Sequence, residues 1–232
     1  MRSPTGVKRH NVIGDRLWNA IVHFFAVQDW RGLFLTGGTC IAEFYFGHRV
    51  SIDIDLFTAD RALFTAARNL LQQPDFFPGE RVELVRSFPD FSQFLLHYRG
   101  HEPLKLDLVF DHPPAVGEKL CVDRIWIDSL PDLVANKLGC IINRNEVKDY
   151  LDLFYLLPAI NLPPAELLAL GQRKDAGLDA LVLAYQLRYI QTVPTAPPYF
   201  LANVPWPHVQ ASFQHLHDAL LDDAKALSVR IV

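Results

Sequence analysis

The stretch from Leu33 to Phe57 constrains the fold more than any other part of the chain. It opens on the apolar run Leu33-Phe34-Leu35-Thr36 and breaks at Gly37-Gly38-Thr39. After a helix-length segment, alternation resumes at Ser51-Ile52-Asp53-Ile54-Asp55-Leu56-Phe57. Paired glycines after a strand-like run mark a turn, so the pattern predicts strand, turn, helix, strand. Side chains on a strand alternate, which puts Asp53, Asp55 and Phe57 on one face and Ile52, Ile54 and Leu56 on the other. Three aliphatic residues on one face imply a strand inside a sheet. The other face then carries two carboxylates near the interior, and buried like charges are costly unless a cation neutralises them. Residues two apart on a strand have Cα atoms ~6.6 Å apart. Both carboxylates can therefore lean onto one hard cation. The Gly37-Gly38-Thr39 turn offers unpaired backbone N–H groups to a phosphate at a helix start. Thr39 reads equally as an N-cap, a role that uses the same N–H groups. Paired metal-binding carboxylates beside a phosphate cradle are the layout of a nucleotidyl-transfer site.

The rest of the chain places further candidates. Apolar residues at helical spacing (Val12, Ile13, Leu17, Ile21, Phe24, Phe25) predict an amphipathic helix within 9–29. Another follows over 60–73, with Asp60 as N-cap. Alternating runs at 81–88 and 91–99, joined by Pro89-Asp90, predict a hairpin. In the strand predicted over 103–110, Leu104, Leu106, Leu108 and Phe110 share one face. Lys105, Asp107, Val109 and Asp111 share the other, in an otherwise ordinary polar pattern. A short strand is predicted near 122–127. Ser129 and Asp132 then have capping-box spacing ahead of a helix reaching Ile142. Helices are predicted over about 147–157, 164–172, 177–191 and 206–227. Five prolines between Val193 and Pro207 mark a loop before the last of them.

Strands mixed with helices up to residue 128, followed by helices alone, predict an α+β (mixed α/β) chain. The expected division is a catalytic core over 1–128 and a helical region over 129–232 that completes the site and contacts the acceptor. On the helix ending at Ile142, Lys137 falls inside the arc of Leu130, Leu133, Val134, Leu138 and Ile141, at about 100° per residue. A lysine there either snorkels or meets a partner, a phosphate or a carboxylate. Asp149 lies between Leu153 and Leu156 on the next helix, and Asp152 projects roughly 60° away. A buried Asp149 pairing with Lys137 or Arg144 is the structural alternative to a catalytic role.

Gly37-Gly38-Thr39, Gly47-His48-Arg49-x-Ser51-x-Asp53-Ile54-Asp55-Leu56-Phe57, Asp132-Leu133-x-x-Asn136-Lys137-Leu138 and Lys148-Asp149-x-x-Asp152-Leu153 together resemble the AbiE-type toxin family. That family lies within the polymerase-β-like nucleotidyltransferase superfamily, and the resemblance covers roughly residues 30–157. It implies a Mg²⁺-dependent transferase with two metal ions held by Asp53 and Asp55. Asp107 is the third carboxylate it favours, and Asp111 the less favoured choice. Gly37, Gly38, Thr39, Lys137 and Arg49 are implied at the nucleotide, although a cation in Arg49's place near a helix end is favourable on dipole grounds alone. Lys137 and Asp149 are implied within the active site. The resemblance further implies an NTP substrate, a tRNA or other acceptor, and a cognate antitoxin protein.

Two other functions share these residues. One is a small-molecule nucleotidyltransferase acting on a cationic aminoglycoside, which the formal net charge of −4 would suit better than RNA. The other is a catalytically silent nucleotide-binding module, which would have lost a carboxylate or the glycine turn, whereas every such position is filled. Three scattered cysteines argue against a disulfide framework or Cys-based zinc site. His215 and His217 lie two apart on a predicted helix, facing different ways, and read as solvated surface. Met1 to Gly6 is basic with no apolar run behind it, and no span of membrane length occurs, so the expectation is a cytoplasmic protein.

Overall fold

The computed structural model describes residues 7–77 and 80–229, with side chains to residue 222. Met1 to Gly6, read above for a leader, lie outside the described residues. The chain divides into two compact units. One runs to Pro114 and includes Glu118–Ser129; the other takes Ala115–Gly117 and the residues from Leu130 onward.

The first unit is a seven-stranded mixed sheet with helices α1 (Asp15–Ala26), α2 (Gly37–Cys40) and α3 (Arg61–Leu71). Its strands are β1 (Leu33–Thr36), β2 (Asp53–Thr58), β3 (Arg81–Phe88), β4 (Phe91–His97), β5 (Leu104–Phe110), β6 (Leu120–Val122) and β7 (Ile125–Ile127). They lie in the order β3-β4-β5-β2-β1-β7-β6, which makes β2 the central strand. β2 runs antiparallel to β1 and parallel to β5. Alternation is kept where it was expected: Ile54, Leu56, Leu104, Leu106 and Leu108 are buried, while Asp53, Asp55, Lys105 and Asp107 keep partial access to solvent. Ile52 departs from it, because β2 starts one residue later and Ile52 is 68% exposed. Asp60 caps α3, accepting from the N–H groups of Ala62 and Leu63.

Two local features differ from expectation. The strand expected near 122–127 is a tight hairpin of β6 and β7, turned at Asp123 and Arg124 with φ of 48° and 72°. Both turn residues are left-handed, as a type I′ turn requires. After α2 the helix widens into a π-helix over Ile41–Phe46 and ends at Gly47, whose φ is 63°. His48 and Arg49 therefore follow the helix rather than end it. Glu43, fully buried on the π-helix, accepts from the N–H groups of Asn11, Val12 and Ile13 and from Arg9 Nε at 2.9–3.2 Å. A buried carboxylate needs that many donors. The result is a strap of residues 9–13 fixed to the helix that begins at the glycine turn.

The second unit is helical: α4 (Leu130–Asn143), α5 (Val147–Ile160), α6 (Pro164–Gln172), α7 (Ala180–Leu187) with a 3₁₀ turn over Arg188–Thr192, and α8 (Trp206–Val229). Its core gathers Leu133, Leu138, Ile141, Tyr150, Leu153, Leu156, Leu183, Leu187 and Phe213. The proline-rich loop before α8 is closed at its ends, where Trp206 Nε1 donates to Val193 O at 2.8 Å. The N–H of Ser129 donates to Asp128 Oδ1, not to the capping partner expected at Asp132. The Asp132 carboxylate instead accepts from the N–H groups of Val116 and Gly117 and pairs with Lys174. Among the described residues no single helix is long and apolar enough to cross a membrane. All three cysteines are free.

Candidate active site

Strand register decides which acidic residues meet. Asp55 on β2 lies opposite Asp107 on β5, and Asp53 lies opposite Lys105. Because paired residues of neighbouring strands share a face, Asp53, Asp55 and Asp107 form one acidic patch on the central strands. Asp111 follows the end of β5, where its N–H donates to Thr58 O at 2.8 Å. It is four residues beyond the register position of Asp55.

The glycine turn closes on this patch. Gly37 has φ of 66°, and a Cβ there would overlap the Asp55 carboxylate; a Cβ on Gly38 would overlap the Arg49 guanidinium. Gly37 favours glycine for its left-handed backbone as well as its space, while a side chain at Gly38 would have to displace the end of Arg49. Asp55 and Arg49 thereby both lie against the same turn. Arg49 is 4% exposed, and its NH1 donates to Val50 O at 2.9 Å. Thr39 is not the N-cap; that position falls to Thr36. The hydroxyl of Thr39 is fully buried, donates to Asp53 O at 2.5 Å and lies 2.9 Å from Ser51 Oγ. It ties the helix to the start of β2 and so fixes the backbone that carries Asp53.

Two side chains that sequence reasoning passed over complete the patch. Lys105 Nζ lies 3.3 Å from Asp53 Oδ2 and 3.3 Å from Asp107 Oδ2. Gln93, opposite Asp107 on β4, donates from Nε2 to Asp107 Oδ1 at 2.9 Å. Burial alone would lower the Lys105 pKa, but the carboxylates of Asp107, Asp53 and Asp55 outweigh it and raise it, so the amine is cationic. The signal was present: Lys-x-Asp on a strand puts both side chains on one face, which is where Lys105 and Asp107 had been set.

Among the described residues no three His, Cys, Asp or Glu side chains are gathered into a metal-ligand cluster. The donor chemistry of the patch nevertheless suits a hard divalent cation. It offers three carboxylates on adjacent strands and no soft ligand, and two of the three already share a positive charge.

Lys137 and Asp149 lie in the helical unit and meet each other there. Lys137 Nζ pairs with Asp149 Oδ1 at 2.8 Å and Asp152 Oδ2 at 2.6 Å; the lysine side chain is 4% exposed and both carboxylates 0%. Arg144 adds a bidentate contact to Asp149, with Nε to Oδ2 at 2.9 Å and NH2 to Oδ1 at 2.7 Å. Burial alone would raise the Asp149 pKa, but the Arg144 hydrogen bonds and the Lys137 charge hold it below the usual carboxylate range. Of the alternatives open for Lys137, the partner it meets is a carboxylate.

Over residues 16–226 the sequence matches the family described as nucleotidyl transferase AbiEii toxin, type IV TA system. No curated protein matches it in sequence. JHP933 from Helicobacter pylori shares the fold with a TM-score of 0.56, covering 94% of this chain and 96% of that one at 18% identity. MenT4, a nucleotidyltransferase toxin from Mycobacterium tuberculosis H37Rv, gives 0.59 over 89% and 83% at 13% identity. At such identities the likeness is one of fold, here the mixed α/β fold of a nucleotidyltransferase toxin. The family match spans nearly the whole chain, the glycine turn and acidic patch included. The chain belongs to the AbiEii nucleotidyltransferase toxin family of type IV toxin–antitoxin systems, and it is a nucleotidyltransferase.

Proposed function

We propose that the protein transfers a nucleoside monophosphate from an NTP to an acceptor hydroxyl, with Mg²⁺, and that the acceptor is a tRNA. The observation that carries this reading is the register of Asp55 with Asp107, beside a glycine turn flanked by Asp55 and Arg49. Asp53, Asp55 and Asp107 would hold the divalent cations, which when bound neutralise phosphate charge and make a hydroxyl more acidic. Gly37 and Gly38 let the Asp55 carboxylate and the Arg49 guanidinium close on the turn, and a triphosphate's charge suits that guanidinium together with backbone N–H groups at a helix start. Thr39 acts through the backbone of Asp53 and is a positioning residue. Such a site accelerates in-line transfer chiefly by holding the reacting groups and stabilising charge, with pyrophosphate as the leaving group.

Lys137 and Asp149 enter this reading as positioning residues of the helical unit, which would select the acceptor. Membership of a toxin family supports a tRNA acceptor and a cognate antitoxin, and the site is taken to work in the cytoplasm, where tRNA and NTPs are found.

The test is incubation of purified protein with Mg²⁺, each α-³²P-labelled NTP and total tRNA, with Asp53→Ala alongside. Label on tRNA with wild type alone is the expected result. Label on an aminoglycoside but not on tRNA would favour the small-molecule enzyme. Calorimetry showing no NTP binding with Mg²⁺ would overturn the site assignment.

A further inference from the structure

Lys137 and Lys105 each bridge a pair of carboxylates, and they are built in opposite ways. Lys137 is sealed between Asp149 and Asp152, with its side chain 4% exposed. Lys105 bridges Asp53 and Asp107 at 3.3 Å to each, with its side chain 36% exposed and those of the carboxylates 29% and 15%. The first is a fixture of a core. The second has a route into water, a flexible four-carbon stem, and two long, half-solvated ion pairs that hold it only weakly.

We infer that Lys105 is the resident counter-cation of the acidic patch, holding between Asp53 and Asp107 the place a divalent ion takes, and that it swings out when the ion binds. The inference rests on the proposed role of those carboxylates as metal ligands. Three carboxylates on adjacent central strands repel one another unless a cation is shared among them. Lys105 supplies that charge from within the sheet, at the register position opposite Asp53. Gln93 keeps the arrangement in order by holding Asp107 Oδ1, which leaves Oδ2 as the oxygen Lys105 occupies. Folding of the patch is thereby independent of metal, and the ion must displace an ammonium to enter.

Displacement has two consequences that can be read without turnover. Lys105→Met should bind Mn²⁺ about tenfold more tightly than wild type in calorimetry without nucleotide, the scale set by giving up two half-solvated ion pairs. In wild type, saturating Mn²⁺ should raise the rate at which an acylating reagent modifies the Lys105 amine, followed by peptide mass spectrometry. Asp53→Asn, with a ligand lost, should blunt the rise. The labelling needs no substitution at Lys105, so it decides the question even if Lys105→Met fails to fold. Mn²⁺ bound with Lys105 labelling unchanged, or bound no more tightly by folded Lys105→Met, would overturn the inference and leave the metal site standing. Mn²⁺ bound by none of the proteins would remove the metal-site reading along with it.

Discussion

Replacing Lys137 with methionine should destabilise the protein by about 3–5 kcal/mol, the usual cost of breaking a buried ion pair from one side. The structure sets the position in that range. Lys137 is 4% exposed and its partners Asp149 and Asp152 are 0% exposed, so water cannot take over for the lost ammonium. Arg144 still holds Asp149 with two hydrogen bonds, which places the cost nearer about 3 kcal/mol. With an m-value of about 2 kcal/mol per molar, the urea midpoint should fall by roughly 1.5 M. The effect has a defined pH dependence. The folded pKa of Asp149 lies below its ordinary value of 3.8, so its stabilisation is fully present above that pH and is lost as pH falls through the folded value. The gap between variant and wild type should therefore be widest above about pH 4 and narrow below it. Urea melts followed by circular dichroism at neutral and acid pH measure both. A midpoint shift under about 0.5 M at neutral pH would refute the reasoning.

Other expectations follow from single contacts. Gly37→Ala must adopt φ near 66° and press on Asp55, so a loss of about 2–4 kcal/mol in thermal melts is expected, with transfer activity falling further than stability explains. Glu43→Ala would strand three backbone N–H groups, costing about 3–5 kcal/mol and removing amide-exchange protection from residues 11–13. Arg124→Gly relieves a left-handed residue in the β6–β7 turn and should gain about 1 kcal/mol in urea melts.

Much of the fold could be read from alternation and capping, because those signals are local. Leu104 to Phe110 alternates cleanly and forms β5, and Asp60 caps α3. The features that were not legible depend on partners distant in sequence. Nothing near Ser129 shows that Asp132 will be taken by the N–H groups of Val116 and Gly117 and by Lys174, leaving Asp128 to receive the Ser129 N–H. Asp123-Arg124 carries no glycine, so its type I′ turn gives no ordinary hairpin signal. The widening at Ile41–Phe46 accompanies Glu43's hold on residues 9–13, a contact across some thirty positions. At the site, Asp53 and Asp55 were evident from spacing alone. Asp107 was already favoured over Asp111 on the resemblance, and the β2–β5 register adds that it lies opposite Asp55, whereas Lys105 was visible but read as an ordinary strand lysine. Lys137 was recognisable as buried from helix geometry, whereas the identity of its second carboxylate, Asp152, came only from packing.

The place of Asp107 in the proposed catalytic face rests on the β2–β5 register. It is tested most directly by transfer of label from α-³²P-NTP to tRNA by wild type, Asp107→Asn and Asp111→Asn, each confirmed folded by circular dichroism. A loss on the order of a hundredfold or more is expected for Asp107→Asn, with near-normal transfer for Asp111→Asn. Full activity in Asp107→Asn, or loss confined to Asp111→Asn, would contradict it.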